Sequence, residues 1–128
     1  MKNIHVIIPV AVTTADLFYL PVPVRGIVKA VRAVYSQETD IDETIDVMRG
    51  ATSVNLVTPA ADATAEGTSV AGVPDTTNKD LVFDPASTTV ANRVLRISVP
   101  ATFDTAGVVG LSIDYDDSAA IAQAASEA

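Results

Sequence analysis

Apolar and polar residues alternate along most of this chain, with a period of two rather than 3.6. In "NIHVIIPVAV", Ile4, Val6, Ile8, Val10 and Val12 share one face, while His5, Ile7 and Pro9 share the other. "RVLRISV" sets Leu95, Ile97 and Val99 against Arg96 and Ser98. "VVGLSIDYDD" sets Val109, Leu111, Ile113 and Tyr115 against Gly110, Ser112, Asp114 and Asp116. Shorter stretches do the same: Ile45 and Val47 oppose Thr44 and Asp46, and Val54 and Leu56 oppose Ser53 and Asn55. This alternation predicts half-buried strands of antiparallel sheets, each with one wet face.

The stretch "GIVKAVRAVYS" is less regular. Ile27, Val31 and Tyr35 share a face with Lys29, and Val28, Ala30 and Val34 share the other with Arg32. Such a pattern fits either a bulge that switches faces or a strand partly covered on both sides; partial cover is the expectation.

Turn-rich segments such as "SQETDIDE", "MRGAT", "DTTNKD", "DPASTT" and "ATFDTAG" separate the strands. Their spacing of roughly 8–12 residues suits a sandwich or barrel. Residues 59–78 read as a long loop with one short strand near Ser69–Val73. The expected fold is all-β: an antiparallel, jelly-roll-like β-sandwich of about eight strands. It forms one domain over residues 1–117, followed by a flexible Ala-rich C-terminal tail over 118–128 that is either a frayed helix or an arm for a partner.

The 128 residues suit a single core, and the absence of cysteine excludes a disulfide framework and any thiolate nucleophile or Cys-based metal site. Eight basic against 16 acidic residues give a net charge of −8, which disfavours a nucleic-acid partner. No run approaches the roughly 18–20 apolar residues of a membrane helix, so no membrane partner is expected. The N-terminal "MKNIHVIIPVAV" superficially resembles a signal peptide, but His5 and Pro9 interrupt it and no small-residue cleavage site follows, so it reads as a strand.

Sites for chemistry are sparse. The single His5 reads as a wet-face strand residue, because no nucleophile or second ligand is spaced around it. Asp40, Asp42, Glu43 and Asp46, and then Asp114, Asp116 and Asp117, read as solvated charge, since neither cluster has the loop spacing of a calcium site. The serines form no G-x-S-x-G elbow, no phosphate loop is present, and an aromatic content of 5% without Trp weakens a sugar-stacking surface. The expectation is a protein that is not an enzyme and needs no cofactor or metal.

The segment "FYLPVPVRG" leads into an apolar strand through Pro21 and Pro23, neither of which can donate to a sheet ladder. Leu20, Pro21, Val22, Pro23 and Val24 therefore read as an extended ribbon. Either it packs on a partner with Leu20, Val22 and Val24 displayed, or it is an edge strand over the protein's own core.

These residues also carry a resemblance. "FYLPVPVRGIVKAVRAVYS", the acidic turn "ETDID", the strand pair "TIDVMRGATSVNLVT", the polar lead-in of "TTVANRVLRISVP" and the closing "AGVVGLSIDYD" occur in an order similar to that of small all-β head proteins of tailed bacteriophages. Those proteins are decoration, cement or virion-associated proteins. The resemblance runs from about Leu17 to Tyr115 by order of elements, and "VMRG" and "RVLRISV" depart from the family's usual pattern. It implies a structural virion protein on the outer surface of the capsid, with the major capsid protein as partner. It transfers no catalytic residue. A homotrimer is the expected assembly on a capsid's local threefold positions, with a dimer as the alternative. A receptor- or carbohydrate-binding sandwich at a host surface is the rival reading, and a calcium-dependent adhesion module would require the two acidic clusters to converge.

Overall fold

The computed structural model describes residues 2–10, 15–60, 64–101, 103 and 106–118. The strands are β1 (Lys2–Val10), β2 (Asp16–Pro21), β3 (Ile27–Tyr35), β4 (Ile45–Arg49), β5 (Thr52–Val57), β6 (Ser69–Ala71), β7 (Val73–Pro74), β8 (Val94–Val99) and β9 (Gly107–Asp116), with a single 3-10 turn at Val90–Arg93. Val12 and residues 119–128 of the expected tail lie outside the described residues.

The strands build two antiparallel sheets. One has the order β1-β9-β3-β6 and the other β2-β8-β4-β5-β7. The pairs β1–β9, β2–β8, β3–β6 and β4–β5 nest inside one another along the chain. The molecule is thus one long hairpin rolled so that its strands fall alternately into two packed layers, the jelly roll expected from the alternation. The short strand expected near Ser69–Val73 divides at Gly72, with β6 joining the first sheet and β7 the second.

Inward residues from both layers form one core. Val31, Ala33, Tyr35, Val109, Leu111, Ile113 and Tyr115 face Ile45, Val47, Val54, Val57, Leu95, Ile97 and Val99, with Phe83 and Phe103 closing the ends. The Tyr35 and Phe103 rings lie 6.1 Å apart in a tilted arrangement.

Two bulges account for the irregular patterns. In β3 the register passes from Val28↔Tyr115 to Ala30↔Asp114, so Lys29 is the extra residue. Ile27 and Val28 are both buried before it; beyond it Val31, Ala33 and Tyr35 point in while Arg32 and Val34 point out. A bulge, and not partial cover of both faces, therefore explains the sequence. In β5 the register passes from Met48↔Ser53 to Val47↔Asn55, which leaves Val54 unpaired. Asn55 and Val57 then turn inward and Leu56 outward, the reverse of the simple alternation.

The chain crosses from the second sheet to the first through residues 22–26, and Gly26 makes the crossing possible. Its amide donates to the Phe83 carbonyl at 2.9 Å and its carbonyl accepts from the Phe83 amide at 2.8 Å. A Cβ there would collide with the Asp116 carbonyl and lie 2.8 Å from the Tyr115 ring. Gly26→Ala is expected to cost about 1–3 kcal/mol by overpacking, seen as a melting temperature lower by about 5 °C or more; an unchanged melt would show that the crossing can relax. The Tyr115 hydroxyl donates to the Val24 carbonyl at 2.6 Å and ties the same crossing to β9.

A second tie fixes Arg25. Its Nε donates to the Asp84 carboxylate at 2.9 Å, while the other carboxylate oxygen accepts the Ala86 amide at 2.9 Å. The Asp84 amide donates to the carbonyl of Asn92, the buried Asn of the "ANRV" lead-in, also at 2.9 Å. The Ala86 amide first, and Arg25 after it, hold the Asp84 carboxyl below the usual carboxylate range. A depressed native pKa adds stability above the unfolded value of about 3.9 and loses it as pH falls through the native value. Asp84→Asn should therefore destabilise the fold most at neutral pH, and the gap to the parent should close in acid. A gap independent of pH would assign the loss to packing instead.

Candidate interaction surface

The proline-containing ribbon is divided by the sandwich. β2 is an edge strand paired only with β8, with Leu20 opposite Leu95 and Pro21 opposite Val94. Val22 is a core residue and Leu20 packs half-buried against the core. Pro21 and Pro23 are exposed, and Val24 is 36% exposed. Leu20 and Val22 are thus not displayed in the free chain; the outward apolar residues of this segment are Leu17, Tyr19, Pro21, Pro23 and Val24.

The prolines protect this edge. The Val22 amide points towards β8, donating to the Arg93 carbonyl at 3.4 Å. Amides alternate in direction along an extended chain, so the nitrogens of Leu17, Tyr19, Pro21 and Pro23 face the open side. The Leu17 amide is taken by the Asp16 carboxylate at 2.8 Å, and the prolines have no amide hydrogen. Only Tyr19 keeps an outward donor, too few to extend the sheet.

A second apolar surface lies on the outer face of the first sheet, around Gly110. Ile7 from β1 is 69% exposed, and Val34 from β3 and Val108 from β9 are each 42% exposed. Gly110 sits between Ile7 and Val34 with a backbone φ that any residue adopts. A Cβ there would meet only ordinary contacts, Ile7 Cδ1 at 3.8 Å and the Val34 carbonyl at 3.9 Å. Packing within the chain does not require glycine here; its effect is to leave a gap. Two shallow open hollows of about 410 and 450 Å3 flank the gap, the second bordered by exposed His5 and Arg32.

Half of the signal for this patch was in the alternation: Ile7 is an isoleucine on the wet face of its strand, whereas Val34 points outward only because of the bulge in β3. Single exposed apolar residues are ordinary, but here the sheet brings three of them, from three strands, together.

The acidic clusters have different fates. Asp42 is exposed, and Asp46 is half-buried with its carboxylate accepting from the Ser53 hydroxyl at 2.6 Å. Glu43, expected in solvent, is fully buried, and the Tyr35 hydroxyl donates to its backbone carbonyl at 3.2 Å. Burial, and then the Glu43 carboxylate, push the Tyr35 phenol up. Asp114 accepts from the Asn3 side chain at 2.5 Å, and Asp117 pairs with Lys2 at 3.8 Å. Among the described residues no three His, Asp or Glu side chains converge on a point that could hold a metal, and no helix is long and apolar enough to cross a membrane.

The fold and this surface define a small β-sandwich with an open apolar face. No protein-family model, curated protein or solved structure matches the chain.

Proposed function

We propose that this chain is a structural virion protein that decorates a tailed-phage capsid on its outer surface and stabilises it by bridging neighbouring major capsid subunits. The observation that carries the reading is the apolar face around Gly110, formed by Ile7, Val34 and Val108. It is open and shallow, which suits a protein surface better than an enclosed small molecule. The similarity of "FYLPVPVRG" and the later strands to phage head proteins supplies the choice of target. A net charge of −8 opposes casual association, so a stable contact needs a patch that excludes water.

The test is to mix the purified chain with empty particles assembled from a tailed-phage major capsid protein encoded in the same genome. Co-sedimentation, followed by imaging of the particle, should place copies across the seams between capsid subunits. Copies seated on one capsid subunit each would remove bridging. Absence of binding to particles combined with binding on a glycan array would favour the carbohydrate-binding alternative.

A further inference from the structure

Three of the four sheet edges formed by the described residues are closed to further strands. β2 carries Pro21, Pro23 and the capped Leu17 amide, β6 is three residues long, and β7 is two residues long and ends in Pro74. The remaining edge, β1, is nine residues long and is paired only through β9.

The direction of its free amides follows from its neighbour. The Ser36 amide donates to the Val108 carbonyl at 3.0 Å, so Val108, and with it every even residue of β9, directs its backbone towards β3. The odd residues of β9 therefore bond β1, and their partners are Lys2, Ile4, Val6, Ile8 and Val10. Asn3, His5, Ile7 and Pro9 consequently turn their backbone groups to the open side. Pro9 costs the sheet no bond there. Asn3, His5 and Ile7 each offer an amide and a carbonyl, and all three residues are exposed. The Asn3 side chain does not cover the edge, because it turns the other way onto β9, to Asp114 and Ser112.

We infer that β1 is a self-association edge, and that its occupant is the β1 strand of a second copy running antiparallel about a two-fold axis near His5. With His5 opposite His5, Asn3 faces Ile7 of the other copy and each such pair exchanges two backbone bonds. With the axis moved to Val6, His5 faces Ile7 and the Pro9 carbonyl accepts from the Asn3 amide, so all three outward amides of each copy are again taken. Charge points to the same occupant. In a chain of net charge −8, "KNIHVIIPV" contains one lysine and no carboxylate, so two copies meet along a strand free of the repulsion that opposes other contacts. Such an interface is isologous, and it joins two four-stranded sheets into one eight-stranded layer with both apolar patches on its outer face. It favours the two-fold assembly over the threefold one expected from capsid positions, and it does not depend on which target the patch binds.

The test uses the free full-length chain, without particles. Sedimentation equilibrium should show a mass rising with concentration to twice 13.3 kDa. His5→Pro deletes an outward amide that the fold does not use, at a position whose nitrogen faces the same open side as that of Pro9. It should raise the dimer dissociation constant about tenfold or more, with an unchanged melt of the dilute monomer. Hydrogen exchange on the unmodified chain gives an independent readout. The Asn3, His5 and Ile7 amides should become protected as concentration rises, while those of Ile4, Val6 and Ile8 should be protected throughout. A mass that stays at 13.3 kDa, a dimer in which those three amides exchange freely, or a folded His5→Pro variant that dimerises as well as the parent would each overturn the inference.

Discussion

Replacing Leu20 and Val22 together with serine is expected to destabilise the free protein by about 3–5 kcal/mol and lower its melting temperature by about 10–20 °C. Val22 is 5% exposed, and its side chain belongs to the same core as Ile97 and Tyr115. Serine there removes buried methyl groups and places a hydroxyl among apolar neighbours. Leu20 is half-buried opposite Leu95, so its share is smaller. Had the ribbon displayed these residues to a partner, the same double change would leave the melt unaltered and weaken only the attachment. The two readings therefore separate on one variant, by a thermal melt of the free chain and by occupancy on particles below the melting point. A melt within 2 °C of the parent, a shift of about half a kcal/mol, would return Leu20 and Val22 to the contact surface.

The opposite signature is expected on the other sheet. Ile7→Ser with Val34→Asp should cost the free protein far less than the Leu20 and Val22 change, because Ile7 is 69% and Val34 42% exposed and neither belongs to the core. Occupancy on capsid particles should fall at least tenfold, since each change removes apolar contact area at about 25 cal/mol per Å2 and the aspartate adds a desolvation cost. Ile7→Ser keeps the outward amide of residue 7, so pairing through β1 should survive while attachment is lost. Full occupancy by this variant would move the target contact elsewhere, with Tyr19 and the exposed prolines of the second sheet's edge as the next surface to change.

These two expectations rest on different levels of information. The alternation in β1, β8 and β9 was legible residue by residue, because a strand covered on one side must place apolar groups at every second position. Ile8, Val10, Leu95, Ile97, Val99, Leu111 and Ile113 are all buried as the pattern demands. The prolines left two readings open, a ribbon displayed to a partner or an edge strand over the protein's own core, since a residue without an amide hydrogen fits either, and only the burial of Val22 separates them. The faces of β3 and β5 were not legible. A bulge adds a residue without a distinctive composition, and only the register against β9 and β4 shows that Lys29 and Val54 are the additions.

The contact surface shows the same division. That Ile7 sits on a wet face followed from local pattern, because strand periodicity is a property of neighbours in sequence; that Val34 does followed only from the bulge in β3. That they flank Gly110 did not follow from local pattern, because residues 7, 34 and 110 meet only when β9 is threaded between β1 and β3. Likewise, "DIDETID" reads as uniform acidity along the chain, whereas Glu43 alone of its carboxylates is fully buried. Local spacing determined which residues could be strands and which sides were wet. Only the nested long-range pairing of the jelly roll decided which wet sides would lie together, and which of the four edges would be left able to accept another strand.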